Sequence, residues 1–139
     1  MKKDDCIFCK LANGDIPTNT IYEDDLFRVI MDASPATRGH ALVLPKDHYA
    51  DVYEIDPEVL AKAVQVGQKV IKHATEVLGC DGYNMLQNNG EAAGQTVFHY
   101  HLHLIPRYAE NNDPRILSWP SGKVNTDDIL TLTESLKLN

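Results

Sequence analysis

An α+β fold built on a mostly antiparallel sheet is predicted by three observations. Short apolar stretches of strand period outnumber helical ones, one long helical stripe interrupts them, and Gly, Pro or Asp-Asp turns separate neighbouring stretches. The chain has 139 residues, the size of one domain around one core.

The elements follow in order. Asp4 and Asp5 are candidate caps for a short helix running to about Asn13, with Gly14 as its stop. Pro17 forces an extended connection. Residues 20–23 and 26–31 form two strands joined by a tight turn at Asp24 and Asp25. Residues 34–39, rich in Ser, Pro, Thr and Gly, are a loop. Residues 40–44 form a strongly apolar strand ended by Pro45, and the polar stretch from Lys46 to Tyr49 sits at its mouth. Asp56, Pro57 and Glu58 supply a cap, a first-turn proline and an acidic first turn for the long helix. Its stripe is Val59, Leu60, Ala63, Val66, Val70, Ala74, Val77 and Leu78, and Gly79 ends it. His73, beside that stripe, is read as structural or solvated.

Residues 82–87 make a further strand, and residues 88–94 a small-residue loop whose two glycines let backbone N–H groups approach an anion. The last strand spans 96–105, with Pro106 ending it and Arg107 immediately after. Residues 108–123 are irregular. Asn125, Thr126, Asp127 and Asp128 then cap a final short helix with Ile129, Leu130, Leu132 and Leu136 facing inward. No repeat, low-complexity tract or linker is present.

Composition narrows the function classes. No apolar run approaches the ~18 residues that a membrane span requires. The basic start at Lys2 and Lys3 has no apolar region behind it, so no secretory signal is expected. Three cysteines, an odd number, argue against a disulfide framework and for a reducing, cytoplasmic setting. The net charge of −7 disfavours a nucleic-acid surface but leaves room for a small anion held by local donors.

The chemistry concentrates in residues 99–105, where His99, His101 and His103 alternate with Tyr100, Leu102 and Leu104. The strand period projects all three imidazoles from one face, with neighbours roughly 6.6 Å apart. Two mechanisms suit them. In one, the central imidazole attacks phosphorus and forms a covalent phospho-histidine; this requires a fixed tautomer and donors around the phosphate. In the other, the histidines hold a catalytic zinc that activates water. Cys6 and Cys9 form a C-x-x-C, half of a tetrahedral zinc site, with His48 and one strand histidine as candidates for the other half. A redox pair, or two free thiols in a helix turn, is the rival reading.

The run from His99 to Ile105 resembles the histidine triad (HIT) pattern, His-φ-His-φ-His-φ-φ. Asn88 and the run Gly94-Gln95-Thr96-Val97 look like that family's phosphate-binding segment, and Asp32-Ala33-Ser34-Pro35 and residues 40–46 like its upstream strands. The resemblance covers about residues 6–108 and makes 109–139 a C-terminal extension of a single domain. It implies a five-stranded antiparallel sheet with two main helices, and a homodimer. It also implies a nucleotide hydrolase or transferase that cleaves at the α-phosphate through a nucleotidyl-histidine. Carried onto this sequence, it makes His101 the nucleophile. His103 faces the phosphate, and His99 orients the nucleophile through its backbone carbonyl. Asn88, Gly94, Gln95 and Thr96 contact the phosphate or leaving group, and Asp32 binds the ribose hydroxyls. Ile7, Phe8, Leu11 and Ile16 line the base pocket or are plain core. His40 supports the phosphate side or is a buried structural histidine.

Cys6 and Cys9 are similar to those of bacterial members and the uridylyltransferase branch. The resemblance completes a structural zinc site there with His48 and His99, one ion per chain. A closed four-ligand site weighs against the zinc-hydrolase mechanism. The N-terminal region resembles the branch that hydrolyses purine nucleoside phosphoramidates. Pro106-Arg107 also occurs in the branch that cleaves dinucleoside polyphosphates. A non-catalytic nucleotide-binding module is the reading from another class, and the intact His101 weighs against it.

Overall fold

The computed structural model describes residues 1–123 and 125–139. The strands are β1 (Thr20–Glu23), β2 (Phe27–Met31), β3 (Ala41–Pro45), β4 (Gly82–Leu86) and β5 (Leu102–Arg107). The helices are α1 (Ile7–Ala12), α2 (Pro57–Leu78) and α3 (Thr126–Leu136). The strands form one five-stranded sheet in the order β1-β2-β3-β5-β4, with every pairing antiparallel.

Strand alternation divides the buried residues between the two faces. Phe27, Val29, Ala41, Val43, Leu102 and Leu104 meet Ala63, Val66 and Val70 of α2 in the larger core. Ile30, Leu42 and Leu44 point the other way and meet Ala12, with Phe8 and Leu11 of α1 packed against them. The same parity decides where the chemistry sits. His103 pairs with Leu42 on one side and Leu86 on the other, so it shares the α1 face. Asp32 and His40 continue the β2–β3 ladder by one step, with the Asp32 N–H bonded to the His40 carbonyl at 2.9 Å. Both therefore join His103, on the face opposite α2.

The long helix begins and ends as its sequence requires. The Asp56 carboxylate accepts the Glu58 N–H, Pro57 opens the first turn, and Gly79 closes it at φ 63 with its N–H on the Thr75 carbonyl. Gly67 permits the close approach to the sheet. A Cβ there would lie 2.8 Å from Met85 Cε and 3.3 Å from Leu104 Cδ2.

Several expectations need correction. α1 is capped by Cys6, not by Asp4 or Asp5: the Cys6 thiol accepts the Cys9 N–H. The last strand is Leu102–Arg107 rather than 96–105. Residues 96–101 form no strand, with bends at 97–99, because their polar groups are drawn to three different places, the 90–95 loop, the Cys pair and Tyr49. Pro106 does not end this strand but lies within it. The final helix forms with its Asn125 cap, yet its apolar residues do not face inward. Ile129, Leu130, Leu132 and Leu136 are 47%, 62%, 46% and 72% exposed.

Candidate functional site

His99 and His101 each have one nitrogen committed by a backbone carbonyl, and that commitment decides what the other nitrogen does. His99 is fully buried and its Nε2–H donates to the Pro45 carbonyl at 2.8 Å, a carbonyl presented by the end of β3. Its Nδ1 lone pair therefore faces Cys6 Sγ and Cys9 Sγ, each at 3.4 Å. His101 does the reverse. Its Nδ1–H donates to the His99 carbonyl at 2.7 Å, so the lone pair is on Nε2. Among the described residues, Arg107 Nε is the buried side-chain polar atom without a partner. His101 Nε2, which has no protein partner, is thus open to a ligand.

His103 receives its tautomer from a neighbour. The Ala36 N–H donates to His40 Nδ1 at 2.9 Å, which places the His40 proton on Nε2. That proton is donated to His103 Nδ1 at 2.9 Å, with Asp32 Oδ2 3.4 Å from His40 Nε2. His103 must then carry its own proton on Nε2. A lone pair on His101 and an N–H on His103 stand side by side, their rings 5.0 Å apart. Burial keeps these imidazoles neutral: it lowers His40 and His101 and pushes His103 down to about 4, with the neighbouring histidines adding to the effect on His103.

Two clusters of metal-ligating side chains emerge, and the tautomers separate them. Asp32, His40 and His103 bring two imidazoles and a carboxylate within 4.8 Å of one another. The Ala36 N–H, however, forces a proton onto the His40 nitrogen that would have to ligate, so this cluster carries a proton. The ligand atoms of Cys6, Cys9, His48 and His99 also lie within 4.8 Å of one another, and the lone pair on His99 Nδ1 is turned toward the sulfurs. Three of the Sγ···Nδ1 distances, Cys6–His99, Cys9–His48 and Cys9–His99, are each 3.4 Å. A tetrahedral zinc with Zn–S about 2.3 Å and Zn–N about 2.05 Å sets that edge at about 3.6 Å. Backbone N–H groups of Lys3 and Cys9 reach the sulfurs at 3.3 and 3.4 Å, the outer support that a thiolate pair needs. Burial raises the Cys9 thiol and lowers His48, and it pushes His99 down to about 4. The imidazoles are thus in ligand form, and a cation would stabilise the thiolates that burial disfavours. The four residues fit a tetrahedral zinc.

The remaining expected site residues divide. The Gln95 side chain is spent on the fold: its Oε1 accepts the Gly90 N–H and its Nε2 donates to the Ala50 and Val97 carbonyls. It braces the loop instead of reaching out. Gly94 takes φ 91, which favours glycine, and Asn88 Nδ2 lies 3.6 Å from where a Gly94 Cβ would be. Thr96 is exposed beside them. Phe8 packs against the triad. Its ring lies edge-on to His101 at 4.9 Å and to His99 at 6.1 Å. Leu11 packs with it, Ile16 is half-buried and Ile7 is 48% exposed. Pro45, Ala36 and Asn13 act through backbone groups or bind them, and nothing in the sequence marks them. The Asn13 amide donates to the Cys9 and Lys46 carbonyls and ties the cysteine turn to the strand before His48. Arg107 is used to anchor the tail, through Asn84, Asn112 and the Asp113 carbonyl.

Comparison with known proteins agrees with this architecture. The chain is 39% identical over 131 residues to an adenosine 5'-monophosphoramidase of Schizosaccharomyces pombe, covering 94% of this chain and 95% of that one. A crystal structure of a Streptococcus mutans protein matches at TM-score 0.89 and 35% identity, over 97% of this chain and 85% of that one. A zinc-bound histidine triad family protein from Mycobacterium smegmatis matches at TM-score 0.75 and 38% identity, over 96% and 98%. The sequence model of the HIT domain matches residues 13–110, and the chain belongs to that family.

Proposed function

We propose that this protein is a nucleotide hydrolase that cleaves a purine nucleoside phosphoramidate, or a closely related nucleotide, at the α-phosphate through a covalent nucleotidyl-His101. The observation that carries the reading is the pair of opposed tautomers, an open lone pair on His101 Nε2 beside an N–H on His103 Nε2. The lone pair attacks the α-phosphorus and the P–N bond to the leaving amine breaks. The His103 Nε2–H donates a hydrogen bond to the phosphoryl oxygens as charge builds on them, and the amine leaves with a proton taken from solvent. The His99 carbonyl holds the Nδ1 proton and stabilises the imidazolium that forms on His101. Water then attacks the phosphorus, the bond to His101 Nε2 breaks, and the nucleoside monophosphate leaves while the water's proton passes to solvent. Asp32 Oδ2 accepts from the ribose hydroxyls, its Oδ1 being taken by the Ser34 N–H. Asn88, Thr96 and the N–H groups around Gly94 surround the phosphate, with Gln95 positioning them. Phe8, Leu11, Ile7 and Ile16 face the base. Because Arg107 is spent on the tail, it does not support a dinucleoside polyphosphate preference.

Cys6, Cys9, His48 and His99 hold one structural zinc per chain, which supplies rigidity and no activated water. This reading draws on the four clustered ligand atoms and on the zinc-bound relative. Two such chains pair through α2 and the free edge of β4, in a cytoplasmic setting. Intact-protein mass spectrometry after mixing with adenosine 5'-phosphoramidate tests the chemistry. An added nucleotidyl group on His101 is the expected result, and turnover with no adduct under rapid quench refutes the covalent step.

A further inference from the structure

The turn that carries the cysteine pair also supports the nucleophile, and its two thiols stand where an oxidant can join them. Cys6 is extended at φ −105, Cys9 lies on the first turn of α1, and the Cys9 N–H donates to Cys6 Sγ at 3.4 Å. The sulfurs converge on one point, since their ligand atoms and those of His48 and His99 lie within 4.8 Å of one another. C-x-x-C is also the spacing of reactive dithiols. Cys6 is the outer of the two, half-buried at the end of the exposed segment 1–5, and Cys9 is fully buried. A small oxidant therefore meets Cys6 first, with Cys9 beside it to resolve the product.

What the sulfurs hold is the ring of His99. That ring is fully buried and has two anchors, the Pro45 carbonyl on Nε2–H at 2.8 Å and the two sulfurs on Nδ1 at 3.4 Å each. The backbone carbonyl of the same residue accepts the His101 Nδ1–H at 2.7 Å, the bond that keeps the His101 lone pair on Nε2. A thiol donates its S–H to Nδ1, and a thiolate pair holds Nδ1 through a shared cation. A disulfide does neither. It leaves His99 Nδ1 as a buried acceptor without a donor, a costly arrangement inside a protein. The ring is displaced, its carbonyl turns with it, and the His101 proton is released from Nδ1. On Nε2 that proton occupies the lone pair that attack requires.

We propose that Cys6 and Cys9 form a peroxide-reactive dithiol, whose closure to a disulfide unhooks His99 and disables His101 until a thiol reductant reopens it. The effect on turnover rests on the reading of His101 as nucleophile. In the first step the Cys6 sulfur attacks hydrogen peroxide, the O–O bond breaks, and Cys6 sulfenic acid and one water form. The Cys9 sulfur then attacks the Cys6 sulfur, the S–O bond breaks, and the second water leaves. Two electrons pass from the sulfurs to the peroxide. The two protons come from the thiols, or from solvent where a metal had displaced them. Two imidazoles alone are too few to hold zinc, so a bound ion leaves with the oxidation.

Treatment of the full-length protein with hydrogen peroxide tests the switch. Tryptic cleavage after Lys3 and Lys10 puts both cysteines in one peptide, residues 4–10, and Cys80 in another. Peptide 4–10 is expected to become about 2 Da lighter and to stop reacting with iodoacetamide. In step with that change, zinc-loaded protein should release its ion to a colorimetric chelator, and turnover of adenosine 5'-phosphoramidate should fall at least tenfold. Dithiothreitol should restore the turnover. Cysteines that remain alkylatable, a disulfide that leaves turnover or zinc in place, or a loss that reductant does not reverse each overturns the proposal. Nitrogen NMR of the histidine rings supplies an arm that needs neither substrate nor metal. His101 should carry its proton on Nδ1 in the reduced protein and shift it toward Nε2 on oxidation, and a His101 ring that oxidation leaves unchanged overturns the switch. Reduced protein that neither turns over nor forms an adduct sinks the hydrolase reading alone, and the ring spectra then decide the switch.

Discussion

A single proton on each imidazole separates the roles of four histidines. His101 and His99 differ only in which ring nitrogen a backbone carbonyl holds, yet one exposes a nucleophile and the other a metal ligand. His101→Ala is expected to lower turnover on the order of 10³-fold or more, with nucleotide affinity by calorimetry changed by no more than about threefold. Activity within tenfold of the wild type would remove the covalent step. His40 acts one residue away from the substrate, by fixing the proton of His103. His40→Phe frees that tautomer, so kcat should fall by about 100-fold with KM nearly constant, since the hydrogen bond that His103 Nε2 gives the transition-state phosphate is lost. A change confined to KM would assign His40 to binding instead.

The short helix and the loops place these side chains more than the sheet does. α1 carries Cys6 and Cys9 at its start and Phe8 between them, so one turn sets both the metal cluster and the ring packed on His101. Cys6→Ser is expected to leave zinc content near zero by elemental analysis and to lower Tm by at least about 5 °C, because ligand binding and folding are one equilibrium at such a site. An unchanged Tm would remove the metal from this account, and the hydrolase reading would stand without it. The loop before β3 is equally constrained. Gly39 takes φ 94, and a Cβ there would lie 2.7 Å from Leu78 Cδ1, so this turn admits glycine and delivers the Ala36 N–H to His40.

At the scale of the whole molecule, burial of uncharged imidazoles makes stability depend on pH. Burial in the folded state pushes His103 down to about 4 from the 6.5 usual for an imidazole. Between those values the unfolded chain binds a proton that the folded chain refuses. The contribution is therefore intact above pH 6.5 and is lost as pH falls toward 4. Tm should drop across that window, and His103→Asn should lessen the slope without abolishing it, since burial pushes His99 down to about 4 as well. Association belongs to this scale too. Light scattering at micromolar concentration is expected to return twice the chain mass, and a purely monomeric result would contradict the dimer.

The sequence by itself determined what local rules govern. The long helix was legible from Asp56, Pro57, the apolar stripe and Gly79, because cap, proline and glycine act within a turn of where they stand. Five strands in an α+β arrangement were legible from period and turn residues, and the triad, the C-x-x-C and the family from spacing. Tertiary structure decided the rest. The strict alternation of residues 99–103 predicts one strand face, yet strand hydrogen bonding begins only at Leu102, because long-range partners outweigh local period: the Pro45 carbonyl and the cysteine sulfurs hold the His99 ring. Gln95 reads as a phosphate contact and proves a brace, since a side-chain amide goes wherever buried backbone groups lack partners. The α3 row reads as core and lies exposed, because an amphipathic pattern states that a face needs covering but not which surface covers it. Tautomers were wholly beyond the sequence: the groups that choose them, the carbonyls of Pro45 and His99 and the N–H of Ala36, belong to the backbone, which every residue carries alike.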